Sequence, residues 1–239
     1  KEHYAVCYAS SEEVRSLINN QNIKKHFPSG TGETLFTAAL LCSNFGVAEY
    51  LISKHSTLAD YPDKSGVSPI MVALGRFGWI APEKEKSFNE IAALLDKLFQ
   101  LTDLTERKKP LEPYFPYGSN NHSCNRHKEH VSPIEYAIKC ASPQIAHRML
   151  GFFKDGTFKT GDNQNLLHLI MQIPEKGSLL SQAVKLEVNP NAVDENNITP
   201  LLYGIMAMQS KEVLEKLINA GAEINRVTPV SYTHLTLPT

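Results

Sequence analysis

One short pattern recurs along the chain and limits what it can become. A Thr, Ser or Asn opens an apolar run in "GETLFTAAL", "GVSPIMVAL", "HVSPIEYAI", "NQNLLHLIM" and "NNITPLLYGI". Aligned on the opener (Thr34, Ser68, Ser132, Asn165, Thr199), the steps are 34, 64, 33 and 34 residues. Three of the four share one period, and the fourth is a period plus an insertion. A period of this length marks a chain that stacks copies of one small unit.

A second element lies about seventeen residues beyond each opener and is polar, then apolar, with the spacing of one buried helix face. Its copies are "EEVRSLI", "VAEYLI", "EIAALL", "QIAHRML" and "KEVLEKLI", ending on Leu17-Ile18, Leu51-Ile52, Leu94-Leu95, Met149-Leu150 and Leu217-Ile218. A weaker copy, "SQAVKL", lies near Ala183-Val184.

Each unit reads as two antiparallel helices and a projecting turn. The opener can cap a helix by accepting from its first amides. Pro69, Pro133 and Pro200 follow at the first helical position, where no N–H is needed. Ala39, Ala73 and Ala137 are small enough to admit a neighbouring helix. Gly221 is placed to end a second helix in the left-handed conformation. One such unit cannot bury both its faces, so units must stack.

These motifs resemble the ankyrin repeat, whose hallmark is Asp-x-x-Gly-x-Thr-Pro-Leu-His-x-Ala and a closing Gly-Ala-x-x-Asn. The best copy runs from Asp194 to Asn225, and "DKSGVSPIMVAL" from Asp63 is the next. His168 matches the family's His, which implies a local bond that holds the turn, and His3 falls in the same register. Asn197 and Asn163 replace the hairpin Gly, and Asn tolerates positive φ. Met71 and Leu202 replace the His elsewhere. The resemblance implies an all-α solenoid of about six helix-turn-helix units over residues 1–228. Insertions are expected near 78–88 and 102–130. The end, 229–239, reads differently. Val230 to Leu235 can be encoded GTC TCT TAT ACA CAT CTG, which resembles a sequencing-library adapter, so these residues are expected to be a non-native tail on a fragment truncated at both ends.

The insertion at 102–130 holds Tyr114, Phe115 and Tyr117 among prolines, and its aromatic cluster is expected to pack back on the array more than to anchor a peptide. It also holds His122, Cys124, His127 and His130. Thiolate and imidazole suit zinc, but four ligands in so short a loop depart from the usual zinc spacing. A plain polar loop outweighs a metal site there.

The chemistry of an enzyme is missing from the sequence. No Gly-rich phosphate loop, nucleophile elbow or H-E-x-x-H helix appears. Cys140 and His147 fall on successive helices and read as packing and surface. No cofactor and no small-molecule substrate are implied. The formal charge of −1, from 24 Lys plus Arg against 25 Asp plus Glu, gives no basic footprint for nucleic acid. Lys24-Lys25 and Arg107-Lys108-Lys109 read as solvated loop charge. No run reaches the ~20 apolar residues of a membrane helix. The widely spaced Cys7, Cys42, Cys124 and Cys140 read as free thiols in a reducing, cytoplasmic setting.

The function expected is therefore a non-catalytic scaffold that binds another protein through hairpin tips and the concave first-helix face. By register the contact positions are Lys64, Ser65, Val67, Gln164, Glu195, Asn196 and Ile198, with Tyr203 beside them as an aromatic hot spot. The alternatives place the same array beside a catalytic part outside the fragment, in a larger enzyme or in a secreted bacterial effector acting in a host cytosol.

Overall fold

The computed structural model describes residues 6–17, 23–24, 26–27, 32–77, 85–109 (side chains from 91) and 130–225. Among them are helices and three isolated β-bridges, with no strand. The chain divides into two compact units that meet between Ser142 and Pro143.

In the first unit a helical turn at Val6–Tyr8 precedes α1 (Ser11–Leu17), α2 (Leu35–Leu41), α3 (Phe45–Lys54), α4 (Pro69–Phe77), α5 (Glu85–Leu101) and α6 (Pro133–Cys140). The helices form two layers. The first helices of the repeats pack in sequence, α2 on α4 and α4 on α6, and the second helices do likewise, α1 on α3 and α3 on α5. The core lies between the layers. Leu35, Phe36, Ala39, Leu51, Ile70, Ala73, Leu95 and Ala137 are buried in it. Each large apolar side chain so placed contributes about 1.5–3 kcal/mol relative to exposure.

The second unit has the same plan. It contains α7 (Pro143–Leu150), α8 (Leu166–Met171), a 3₁₀ helix (Pro174–Leu179), α9 (Leu180–Lys185), α10 (Pro200–Met206) and α11 (Lys211–Asn219). Here α8 packs on α10, and α9 packs on both α7 and α11. Two close approaches depend on glycine. Both are at Gly156, where a Cβ would meet the Leu186 carbonyl at 2.7 Å and Val188 Cα at 2.8 Å.

The caps follow the expected register with one exception. Thr34, Ser132, Asn165 and Thr199 each accept a backbone N–H from the third helical residue. Ser68 does not. Its Oγ is buried without a partner among the described residues, and its backbone carbonyl alone receives Met71 and Val72. Pro133 and Pro200 stand at the start of their helices as expected. Asn163 and Asn197 take φ of 60° and 58°, so Asn does the work of the hairpin Gly. Gly221, at φ 99°, ends α11.

Other expectations are corrected. Cys7 and Cys42 are not free thiols but form a disulfide, while Cys140 stays outside any disulfide, in the core. The weaker copy near Ala183-Val184 does form a helix, the six residues of α9 after a 3₁₀ turn, but of its closing apolar pair only Ala183 is buried and Val184 is exposed. The charges at Arg107-Lys108-Lys109 are not simply solvated. Lys108 Nζ pairs with Asp60 and Glu106 at 3.3 and 2.7 Å, and the backbones of Lys108 and Lys109 bridge to Val131 and Val67. His3, Ile18, Lys25, the aromatics Tyr114, Phe115 and Tyr117, and the 229–239 tail lie outside the described residues.

Candidate interaction tips

The turns between repeats share one construction. Asp63 N–H donates to the Val67 carbonyl at 3.0 Å, and Val67 N–H donates to Asp63 Oδ1 at 2.9 Å. In the second unit Asp194 does the same with Ile198, at 3.2 and 2.9 Å. Thr160 N–H donates to the Gln164 carbonyl at 2.8 Å, and Gln164 N–H donates to Thr160 Oγ1 at 3.1 Å. Each is a five-residue turn closed by its first and last members. A short polar side chain at the first position holds it, by bonding the backbone ahead of it. The fourth residue carries the positive φ: Gly66, Asn163 and Asn197.

This construction sorts the expected contact residues. Lys64, Ser65, Glu195 and Asn196 occupy the second and third positions and are exposed. Val67 and Gln164 occupy the closing position and are 4% and 8% exposed, so neither offers its side chain to a partner. Ile198, also a closing residue, is half-buried.

Tyr203 is half-buried and its hydroxyl is already committed. It donates to Asp194 Oδ2 at 2.7 Å and accepts from Gln164 Nε2 at 3.1 Å. Gln164 Oε1 in turn accepts from Gln172 Nε2 at 3.1 Å. Burial first, and then the bond to Asp194, push the Tyr203 phenol up to about 12. Burial alone would raise the Asp194 carboxyl. The Tyr203 hydroxyl and the Ile198 and Asn196 amides outweigh it and hold the group below the usual Asp value. Tyr203 therefore stiffens the turn rather than standing free as a contact.

His168 is the buried post of the same network. Asn165 N–H donates to its Nδ1 at 3.1 Å, and its Nε2 lies 3.0 Å from the Ile198 carbonyl, which takes the proton in that tautomer. It thus ties the cap of α8 to the next turn, thirty residues on. Burial lowers its pKa below 6.5, against the opposing pull of the Ile198 carbonyl and of Asp194. In the first unit Thr37 makes the local bond, accepting the Thr34 N–H at 2.8 Å. The shorter side chain closes that cap locally.

Neighbouring turns are also joined by their backbones. Lys64 N–H donates to the Gly32 carbonyl at 3.2 Å, and Glu195 N–H donates to the Asp162 carbonyl at 3.1 Å. A two-helix unit with a locked projecting turn, bonded to the turn before it, can be compared with known folds. An ankyrin repeat domain from Acinetobacter baumannii AYE superposes with a TM-score of 0.62 and 15% identity, covering 93% of this chain and 98% of that one. The fold is the ankyrin fold. The human ASB11 ankyrin repeat domain agrees, with a TM-score of 0.56, 16% identity, and coverage of 96% of this chain and 87% of that one. No protein-family model matches the sequence, and no curated protein does. The ankyrin fold is therefore carried by geometry that the sequence spells only loosely.

The turn is the opening Asp-x-x-Gly-x of the ankyrin motif, and Asp63 and Asp194 are its Asp. Thr160 stands in the same place, five residues before Asn165, and is the member that the sequence motif alone does not reveal. Of the candidate zinc ligands, His122, Cys124 and His127 lie outside the described residues. His130 is exposed, and its carbonyl accepts from Arg107 Nε at 2.8 Å. Among the described residues no group of three or more His, Cys, Asp or Glu could hold a metal ion, and no helix is long and apolar enough to cross a membrane.

Proposed function

We propose that this chain is a non-catalytic ankyrin-type scaffold that binds another protein through its hairpin tips. Ankyrin domains generally act by protein–protein interaction, and stacked repeats present tips and first helices as a binding surface. One observation carries the reading here. The exposed side chains of Lys64, Ser65, Glu195 and Asn196 stand on turns whose backbones are closed by Asp63 and Asp194. A contact residue on a fixed turn loses little backbone freedom when it binds, which favours recognition.

The test is capture of a partner by the full chain and by a variant carrying Lys64→Ala, Ser65→Ala, Glu195→Ala and Asn196→Ala. The helix content of the variant by circular dichroism should equal that of the parent. Loss of the captured protein supports the tips as the contact. Equal capture places the contact elsewhere.

A further inference from the structure

We propose that the Asp63–Val67 turn of the first unit, with the residues beside it, docks an acidic peptide segment of the partner protein. This rests on the tip-binding reading above and names the chemistry of what binds.

The starting point is a group of cations without ion-pair partners. Five cations gather around this turn and beside it: Lys24, Lys64, Arg107, Lys108 and Lys109. Asp60, Asp63, Asp103 and Glu106 accompany them, and each already accepts hydrogen bonds. Asp63 Oδ1 accepts from Ser65 Oγ at 2.6 Å and from Val67 N–H at 2.9 Å. Asp60 and Glu106 both bind Lys108, at 3.3 and 2.7 Å. Asp103 Oδ1 accepts from the Thr105 hydroxyl at 2.7 Å and from the Thr105 amide at 2.8 Å. Among the described residues no carboxylate pairs with Lys24, Lys64, Lys109 or Arg107. Four of the five cationic heads thus have no ion-pair partner among the described residues, while Asp63 and Asp103, bonded to neutral donors, keep their negative charge.

Those heads are also held in place. The Lys64 stem lies over Gly32, so close that a Cβ there would be 2.6 Å from its Cδ. One repeat later Lys109 lies over Gly66, with its Cδ 3.8 Å from a Cβ built there. Its Nζ donates to the Ser65 carbonyl at 2.7 Å, which uses one of three ammonium hydrogens. Lys24 Nζ stands 5.3 Å above the ring of Tyr61, within cation–π range. Arg107 is fixed through Nε on the His130 carbonyl, and its other donors are not used in that bond. Lysine stems that rest on glycine and on a ring lose less side-chain entropy on meeting an anion.

An anion presented at repeated intervals suits heads spaced along successive tips. A peptide of Asp and Glu offers that with a backbone that the turn's exposed residues can follow. Charge complementarity of this kind sets approach and orientation and is weakened by salt.

The experiment titrates the full chain into a fluorescein-labelled decaglutamate peptide and follows anisotropy. Binding is expected to weaken at least tenfold between about 50 and 500 mM salt. It should also weaken at least tenfold in a Lys24→Glu, Lys64→Glu variant whose helix content matches the parent, and stay unchanged in Lys211→Glu. No binding, or equal binding by the double variant, overturns the proposal. Tighter binding of a single-stranded oligonucleotide of equal charge also overturns it, in favour of a nucleic-acid surface. A partner lost from the four-alanine variant but not displaced by decaglutamate would refute the acidic peptide while leaving the tips as the contact.

Discussion

Asn44 and Gln209 stand at the same point of two different repeats, ten residues after Thr34 and Thr199, and each turns its side-chain amide back onto the preceding helix. Asn44 Nδ2 donates to the carbonyls of Val6 and Ala9, both at 3.0 Å. Gln209 Nε2 donates to Ile170 and Met171, at 3.3 and 3.1 Å. Helix ends leave carbonyls without partners, and here the next repeat supplies the donor. Gln209→Leu keeps most of the volume and strands the Met171 carbonyl, while the Ile170 carbonyl keeps the Ile173 N–H at 3.2 Å. It should lower stability by about 1–3 kcal/mol, read from the urea midpoint.

Tyr203→Phe removes the donor to Asp194 and the acceptor for Gln164. At pH 8 the variant should be less stable by about 1–3 kcal/mol. The folded protein holds the Tyr203 phenol near 12 against an ordinary 10. Its contribution is therefore complete below pH 10 and lost as pH rises from 10 to 12. The gap between parent and variant should close across that range in denaturant titrations. A gap that stays constant would mean that the hydroxyl is not held by Asp194.

The acid side is set by His168. Its pKa lies below the ordinary 6.5, so the unfolded chain takes up the proton first as pH falls. Stability from the neutral imidazole is present above 6.5 and is lost as pH drops from there to the folded value. His168→Thr, which copies Thr37 of the first unit, should keep the local cap but lose the bond to Ile198. We expect a lower melting temperature at neutral pH and a smaller decline between about pH 6.5 and 5. An imidazole titration by NMR that gave a pKa above 6.5 would contradict this.

Two glycines should respond in opposite directions. Gly46 lies in α3 with nothing within 4 Å of where a Cβ would sit, so Gly46→Ala should stabilise by about 0.5–1 kcal/mol. Gly156→Ala places its Cβ 2.6 Å from Val188 Cγ2, 2.7 Å from the Leu186 carbonyl and 2.8 Å from Val188 Cα. Backbone cannot swing aside as a side chain can, so this change should cost about 1–3 kcal/mol. Thermal unfolding of the two variants reads the difference in sign.

The Cys7–Cys42 link spans 35 residues. By chain entropy a loop of that length contributes about 3–4 kcal/mol, less any strain. Cys42→Ser should lower the first unit's stability by up to that amount. Alkylation before and after reduction, followed by mass spectrometry, should block two more cysteines in the reduced sample.

Much of the fold was legible because its rules are local. The opener that caps, the proline behind it, and the Asn that accepts positive φ act within a few residues of themselves, and Thr199, Pro200 and Asn197 behave as they read. Ser68 looked the same and leaves its hydroxyl unbonded, since a cap also needs geometry that spelling does not guarantee. The missed features are those that join repeats. Gln209 meets carbonyls 38 and 39 residues away, and His168 meets one 30 residues away. The cysteines could have been paired from the period itself. A separation of 35 in a chain with a 34-residue step sets two residues side by side in adjacent repeats. The candidate site was half legible. Register placed Lys64, Ser65, Glu195 and Asn196 on turns where they are exposed, but the burial of Val67 and Gln164 and the bonds of the Tyr203 hydroxyl come from packing that register does not carry.

The five-residue turn has a consequence for how such a surface can change. Its shape is written by the first, fourth and fifth residues, and its link to the turn before it is made by main-chain atoms. The side chains of Glu195 and Asn196 have no share in either task. They are free letters on a fixed page. Selection, or a designer, can respell them for a new partner and leave the stability of the array where it was.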